Sequence, residues 1–270
     1  ENQMIGIFCG VLGAYCSNRY REVRLFRGFQ VFQGRRLVVI VAAGYAAVCS
    51  LILLFLWPWL YEVSVYMGTS LLGTGPVGVG IYMFLNRLMI PTGLHHALNS
   101  VFWFDLAGIS DLNHFWRGTG IYGQTGQYMA GFFPVMIFGM PGAALAMYQT
   151  ARKEKKKMAG GLLMSAAVCS LLTGVTEPME FSFMFLAPGL FFLHAFLTGL
   201  SGVICAMLPF RVGFNFSAGL LDYFLALNSP MAENPWMLWP LGIVFFLLYY
   251  VVFRFCILKF RLRTPGREEE

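Results

Sequence analysis

Long apolar stretches, separated by short polar segments, run along most of the chain. Residues 37–60 contain no charged side chain, and residues 236–258 contain only Arg254. About 20 apolar residues in a helix are enough to cross the hydrocarbon core of a bilayer. Both stretches are therefore predicted to be transmembrane helices, and Trp57 and Trp59 fit an interfacial belt at the end of the first.

The sequence between these two spans is apolar but irregular. Three further apolar stretches are interrupted by glycine, proline or polar residues: 63–90, 129–149 and 158–209. Two stretches mix polar and apolar residues: 91–128 and 211–235. The predicted interruptions in the apolar stretches are Pro134, Pro141, Thr176–Pro178, Pro188 and His194.

Such interruptions point to a particular kind of membrane protein. Irregular backbone at membrane depth survives only where protein buries it or a water-filled cavity receives it. Discontinuous helices of this kind build the substrate sites of secondary transporters. The sequence therefore predicts an all-α polytopic membrane protein, in which transmembrane helices are joined by broken helices and re-entrant hairpins near 91–128 and around 174–182.

Composition and charge agree with this class. Hydrophobic residues make up 58% of the chain and charged residues 12%, whereas a soluble domain carries about 25% charged residues. Most lysines and arginines lie in three clusters beside apolar runs: 18–36, 151–157 and 254–267. By the positive-inside rule all three clusters are predicted to face the cytoplasm together with the C-terminus. Because the positive charges lie beside membrane segments, the net charge of +6 does not indicate a nucleic-acid partner.

Cysteines and catalytic motifs narrow the chemistry. The six cysteines have no paired spacing and lie in or beside apolar runs, so we predict buried thiols that act as small apolar residues. No zinc pattern, Walker A sequence or Gly-x-Ser-x-Gly elbow is present. We therefore predict no metal or cofactor site, and any phosphoryl donor must come from outside the chain.

The stretch NRLMIPTGLHHALN (86–99) is the first group of candidate binding residues. Pro91 and Gly93 predict a break, after which a new helix begins with free backbone amides. On that helix His95 and Asn99 lie one turn apart on the same face. The candidates are Arg87, His95, His96 and Asn99. Ordinary interfacial histidines are the competing interpretation.

The stretch GVTEPMEF (174–181) places two carboxylates in an apolar setting, where a charge is costly unless it is paired or used. Pro178 lacks an amide hydrogen and disfavours helix at Glu177, so Glu177 is predicted to lie at a break and face a cavity. Glu180 falls in the first turn of the next helix, where the helix dipole favours an acid. We interpret Glu180 as a helix-start carboxylate with a local role.

A neutral sugar fits these groups. Its hydroxyls both donate and accept hydrogen bonds, and carboxylate, guanidinium, imidazole and amide groups cover both needs. Aromatic residues, which form 17% of the chain, can supply apolar faces. The stretch GFNFSAGLLDYF (213–224) offers further candidates: Phe214, Asn215, Phe216 and Asp222. Aromatic stripes more often serve packing, so both interpretations of this stretch stay open.

Four stretches, in this order, resemble the membrane (enzyme IIC) component of the sugar phosphotransferase system, in its glucose and N-acetylglucosamine branch. They are NRLMIPTGLHHALN (86–99), GFFPVMIFGMPGAALAMY (131–148), TGVTEPMEFSFMFLAP (173–188) and LRTPGRE (262–268). The resemblance covers essentially the whole chain, and four separate motifs make it specific.

The resemblance implies a homodimer of ten-helix protomers, each with a dimerisation half and a sugar-site half. Residues 1–36 would be a remnant of the dimerisation half with its basic cytoplasmic loop, and roughly the first third of the family's membrane domain would be missing. Residues 37–260 would form the transmembrane region with the sugar site. Residues 261–270 would begin a cytoplasmic linker toward an absent IIB domain.

By motif, the family's sugar-binding arginine falls on Arg87, its histidine on His95, and its threonine–glutamate pair on Thr176 and Glu177. The implied reaction transfers a phosphoryl group from a phosphorylated IIB domain to the sugar 6-hydroxyl during uptake, which depends mostly on positioning and charge stabilisation. Glu177 is the candidate base, while Arg87 and His95 would orient the ring. The implied setting is the bacterial inner membrane, with lipid, sugar, IIB and a second copy as partners.

The identity of the sugar depends on finer features. The segments 90–95 and 141–148 look more like those of N-acetylglucosamine carriers than of glucose carriers, in which a bulkier residue usually replaces Thr92. His96 departs from that subgroup and resembles the glucose carriers. We expect N-acetylglucosamine, with glucose or glucosamine next. Two other classes stay open: an ion-coupled secondary transporter that titrates Glu177 and His95, and a non-transporting membrane scaffold or receptor.

Overall fold

The computed structural model describes residues 3–104 and 108–268, and in these residues the regular secondary structure is helical, with loops and turns between the helices and one isolated bridge between Arg211 and Glu233. The α-helices in this part of the chain are α1 (Gln3–Tyr20), α2 (Arg35–Ser70), α3 (Gly75–Met89), α4 (His95–Phe102), α5 (Asp111–Arg117), α6 (Gln127–Ala130), α7 (Met140–Thr150), α8 (Lys156–Thr173), α9 (Glu177–Met184), α10 (Pro188–Met207), α11 (Leu220–Ala226) and α12 (Leu238–Lys259). Short 3₁₀ turns and one π-helical segment accompany them: Arg27–Phe32, Ile90–Thr92, Pro235–Met237 and, as the π-helix, Pro134–Gly139. The all-α class predicted from the sequence is confirmed.

Four helical segments of the described chain are long and apolar enough to cross a membrane: Arg35–Ser70, Gln127–Thr150, Pro188–Met207 and Pro235–Lys259. Their surroundings differ. The most apolar part of α2 has 0% of its residues buried inside the chain, whereas the corresponding part of the α6–α7 segment has 83% buried. The sugar-site candidates lie in the densely packed part, and α2 offers its apolar surface to the outside.

The first predicted span was too short. The sequence placed its end at residue 60, beside Trp57 and Trp59, but α2 continues through Pro58 to Ser70. Proline removes only one hydrogen bond from the helix ladder, and membrane helices tolerate this because neighbouring groups satisfy the freed carbonyl. The span predicted at 236–258 agrees with α12 within two residues at each end.

Three predicted interruptions behave differently from expectation. Pro141 does not interrupt the helical segment, because it lies in the first turn of α7. Pro134 does not end the helical segment 127–150; it starts a π-helical turn that joins α6 to α7 and so absorbs the missing amide. His194 was predicted to be a break and is in fact inside the continuous helix α10. Its polar ring is compatible with an apolar helix because both ring nitrogens have hydrogen-bond partners. The breaks predicted at Thr176–Pro178 and Pro188 do separate helices.

The polar stretches contain helices too short to cross a bilayer. Helices α4 and α9 have eight residues each and α5 has seven, far below the roughly 20 needed for a span. They are the broken helices that the sequence predicts. The predicted hairpin at 91–128 includes residues 105–107, which lie outside the described residues.

Close packing of α3 on α10 sets the geometry of the site. A Cβ atom on Gly80 would lie 2.9 Å from the carbonyl oxygen of Gly199, and one on Gly199 would lie 2.9 Å from that of Gly80. No side chain larger than hydrogen fits between these backbones. The two helices therefore approach closely enough for Arg87 on α3 and His194 on α10 to reach the same carboxylate.

The prediction for the cysteines was only partly right. All six are free thiols, but only Cys16 and Cys205 are buried, and Cys9 is exposed. Cys9 lies on α1, whose outer face has few contacts with the rest of the described chain. An apolar setting in the sequence therefore did not guarantee burial inside the protein.

Candidate functional site

One cavity brings together most of the residues that the sequence singled out for binding. It has a volume of about 170 Å³ and is enclosed by α3, α4, α9 and the loop before α11. Its lining includes eight of the candidates: Arg87, His95, His96, Asn99, Thr176, Glu177, Phe214 and Phe216. Ligand pockets usually measure about 300–1,000 Å³, so the cavity suits a guest with a single small ring.

The break before α4 places the histidines and the asparagine. The turn Ile90–Thr92 ends in Gly93, which has a left-handed backbone conformation, and α4 begins at His95 as predicted. His95 and His96 lie against each other with ring centroids 4.0 Å apart. Asn99 is one turn further along α4 and is buried. His96 is exposed at the mouth of the cavity, so the two imidazoles occupy different depths.

The elbow between α8 and α9 places Thr176 and Glu177. Gly174 ends α8 with a φ of +76°, and a Cβ there would lie 2.6 Å from the amide nitrogen of Ala218, so only glycine fits. Glu177 is the first residue of α9, followed by Pro178 at the position where a missing amide costs least. The Glu177 side chain is partly buried, lines the cavity and forms no ion pair with any described residue.

Arg87 is held from two sides. Its Nη1 donates to Thr176 Oγ1 at 2.8 Å and to Glu180 Oε1 at 2.9 Å. Its guanidinium carbon lies 5.0 Å from the centre of the Phe132 ring, a cation–π contact. Nε is buried without a partner in the described part of the chain. Both hydrogen bonds use Nη1, so the other guanidinium nitrogens of Arg87 remain available to donate to a ligand.

The local role predicted for Glu180 is wrong. The residue does lie in the first turn of α9, but its side chain is fully buried, and Oε1 accepts from Arg87 Nη1 and His194 Nε2, each at 2.9 Å. The sequence could not reveal this, because α3 and α10 bring the two partners to Glu180 through tertiary packing. Glu180 therefore links three helices rather than capping one.

Behind Glu180 the polar network continues into α12. A carboxylate can only accept, so His194 Nε2 carries the proton that it donates to Glu180. His194 Nδ1 lies within hydrogen-bond distance of the Tyr249 hydroxyl, at 3.0 Å, and this hydroxyl also donates to the His194 carbonyl at 3.3 Å. Neither residue was predicted from the sequence to have this role. A lone histidine within the apolar run LFFLHAFL (190–197) was the available signal.

The aromatic candidates have unequal positions. Phe214 is buried and packs edge-on against Trp103, with ring centroids 4.9 Å apart. Phe216 is 73% exposed and stands at the rim of the cavity. Asp222 does not line the cavity; its Oδ2 accepts the backbone amides of Phe216 and Ser217, which fixes the loop. Asn215 is exposed and is also absent from the lining.

Several lining residues were not predicted, and Asn86 and Trp103 are two of them. Asn86 precedes Arg87 on α3 and is buried, and Trp103 follows Asn99 by one turn, directly after the end of α4. The indole nitrogen of Trp103 is buried without a hydrogen-bond partner among the described residues. Asn86 could have been noticed as an amide within the apolar stretch 63–90. No group of three potential ligands that could hold a metal occurs in residues 3–104 and 108–268.

A multi-pass helical protein whose broken helices enclose a small polar cavity has the construction of a membrane transporter. The sequence model of the family described as "Phosphotransferase system, EIIC" matches residues 2–199, and the chain belongs to this family.

Curated relatives agree with this assignment. The N-acetylglucosamine-specific EIICBA component of Escherichia coli K12 is 44% identical over 99% of the chain, which spans 42% of that relative. The N-acetylglucosamine-specific EIIC component of Streptomyces coelicolor is 43% identical over 98% of the chain, which spans 65% of that relative. The glucose-specific EIICBA component of Staphylococcus carnosus is 40% identical over 98% of the chain, which spans 41% of it.

Proposed function

We propose that the chain is the sugar-binding membrane part of a phosphotransferase permease for N-acetylglucosamine in the bacterial inner membrane. The observation that carries this proposal is the single cavity at which a guanidinium, two imidazoles, an amide pair and an unpaired carboxylate meet. Relatives named for N-acetylglucosamine, at 43–44% identity, support the choice of sugar.

The residues that line the cavity have different roles in this proposal. Arg87, pre-oriented by Thr176 and Glu180, donates to sugar oxygens, and His95 orients the ring. Glu177 accepts a hydrogen bond from the 6-hydroxyl. The sugar oxygen attacks the phosphorus of a phosphocysteine on a IIB domain, the sulfur–phosphorus bond breaks, and Glu177 takes the hydroxyl proton. Positioning and charge stabilisation supply most of the rate enhancement in such a transfer.

Contacts among the basic segments support a common cytoplasmic face for the second and third clusters. The amide of Arg152 donates to the carbonyl of Gly266 at 3.0 Å, and Arg267 Nη1 donates to the carbonyl of Thr150 at 2.9 Å. The two clusters therefore lie at one end of the helices, as the positive-inside rule requires of cytoplasmic segments. We propose that this end meets the IIB domain and that the C-terminus is cytoplasmic.

We extend the proposal to the assembly and to the division of the chain. Residues 37–260 form the membrane region with the sugar site, and residues 1–36 belong to a dimerisation half. The exposed apolar surface of α2 supports burial against lipid and against a second copy in a homodimer.

Glucose is the second candidate substrate. It is favoured by the glucose-specific relative from Staphylococcus carnosus, at 40% identity. A neutral pyranose without the acetamido group would still meet Arg87, His95 and Glu177.

The test is to supply the full natural chain in membrane vesicles with phosphorylated IIB and each labelled sugar. We expect N-acetylglucosamine 6-phosphate as the product, with no product when IIB is unphosphorylated. Uptake of unmodified sugar that collapses with the ion gradient would establish the ion-coupled alternative instead. Absence of both uptake and product, with correctly folded protein, would leave the scaffold class.

A further inference from the structure

Asn86 and Asn99 form a buried amide pair in the wall of the cavity. Asn99 Oδ1 accepts the Tyr82 hydroxyl at 2.9 Å and Asn86 Nδ2 at 2.6 Å. Asn86 and Asn99 are 3% and 4% exposed, and both line the cavity. The pair joins α3 to α4 across the tight turn at Ile90–Thr92, so its position is fixed by two helices.

The pair leaves one donor group and one acceptor without a partner. Tyr82 and Asn86 occupy both lone pairs of Asn99 Oδ1, and no other hydrogen bond in the described chain reaches either side-chain amide. This leaves Asn99 Nδ2 as a donor and Asn86 Oδ1 as an acceptor. Exchanging oxygen and nitrogen in both amides preserves the network and leaves Asn99 Oδ1 and Asn86 Nδ2 instead. Either assignment leaves one donor group and one acceptor, with their positions exchanged.

We propose that this amide pair recognises the 2-acetamido group of the sugar and so determines specificity, an inference that rests on the proposed function. A secondary amide offers one N–H donor and one carbonyl acceptor, which match the acceptor and donor left free by Asn86 and Asn99. Trp103, one turn after Asn99, lines the same cavity and supplies an apolar surface for the acetyl methyl group.

A 2-hydroxyl, as in glucose, has a single oxygen and cannot span both amides. One buried polar group of the pair would then stay unpaired, which is the condition under which sites reject an analogue most strongly. The pair therefore discriminates between N-acetylglucosamine and glucose, whereas Arg87, His95 and Glu177 contact what the two sugars share.

The test is equilibrium binding of N-acetylglucosamine and glucose to the full natural chain and to Asn86→Ala. We expect the variant to lose at least tenfold in affinity for N-acetylglucosamine and less than threefold for glucose. Ser201→Ala is the matched control, because it removes an equally buried hydrogen bond, to the Gly131 carbonyl on α6–α7, away from the cavity. It is expected to change neither affinity.

A second measurement needs no variant. The ester 2-O-acetylglucose keeps the carbonyl but lacks the N–H, and we expect the wild-type chain to bind it at least tenfold more weakly than N-acetylglucosamine. Equal binding of ester and amide, or equal losses for both sugars in Asn86→Ala, would overturn the amide pair while leaving the proposed function intact. Failure of the wild-type chain to bind either sugar would overturn both.

Discussion

Two carboxylates one turn apart on α9 occupy opposite environments. Glu180 is fully buried and already paired, with Arg87 on one side and His194 on the other. Glu177 lines the cavity and has no ion-pair partner among the described residues. A carboxylate that is paired within the fold, such as Glu180, holds helices together and orients the binding group Arg87. A charge left open at a cavity is available to a guest.

The largest expected effect is at Glu180. Glu180→Ala leaves Arg87 buried without its carboxylate, and breaking a buried ion pair in this way costs about 3–5 kcal/mol of stability. We expect a sharply lower unfolding temperature and a smaller folded fraction in detergent. If Glu180→Ala unfolds at the wild-type temperature, the paired role of this carboxylate is refuted.

Glu177→Gln should behave in the opposite way. The amide keeps the shape of a side chain that forms no ion pair with any described residue, so we expect an unchanged unfolding temperature. Loss of a general base lowers rates by about 100-fold or more, and we expect that loss in sugar phosphorylation at saturating sugar and phosphorylated IIB. A variant with normal phosphorylation would remove the base role of Glu177 and leave only binding.

Thr176 lines the cavity beside Glu177, and its hydroxyl accepts a hydrogen bond at 2.8 Å from Arg87, the partner of Glu180. Thr176→Val removes one hydrogen bond to a cationic group that Glu180 still holds. We expect a loss of about 1 kcal/mol, or about fivefold in sugar affinity. Thr176→Ser keeps the hydroxyl and is the control, so equal affinities of the two variants would contradict this positioning.

The smallest effect should appear farthest from the cavity, at Tyr249→Phe. The variant removes the hydroxyl that meets His194 Nδ1 at 3.0 Å and leaves the Arg87–Glu180 pair in place. We expect about 1 kcal/mol less stability and a sugar affinity within twofold of wild type. A large loss of affinity with unchanged stability would show that the network reaches the sugar directly.

The sequence was informative where local chemistry decides the structure. Pro178 predicts the elbow at Glu177 because a missing amide interrupts the helix ladder. Pro91 and Gly93 predict a break, after which a new helix carries His95. Residues one turn apart, such as His95 and Asn99, could be assigned to one face from their spacing alone.

Features that depend on partners distant in the chain could not be predicted from the sequence. Glu180 looked like a helix-start acid because Arg87 and His194 reach it only through the close packing of α3 on α10. Asn86 was overlooked because its significance comes from Asn99 across a turn. The end of the first span was placed at residue 60, whereas α2 continues to Ser70, because neither the tryptophans nor the isolated proline beside them stops a membrane helix.

The most direct test of the account follows the unfolding temperature of the full natural chain during titration with N-acetylglucosamine, glucose and glucosamine. A ligand that binds only the folded state raises stability with its concentration. We predict the largest rise with N-acetylglucosamine, and a smaller rise at each concentration for Glu177→Gln. Stabilisation by glucose but not by N-acetylglucosamine would contradict the account.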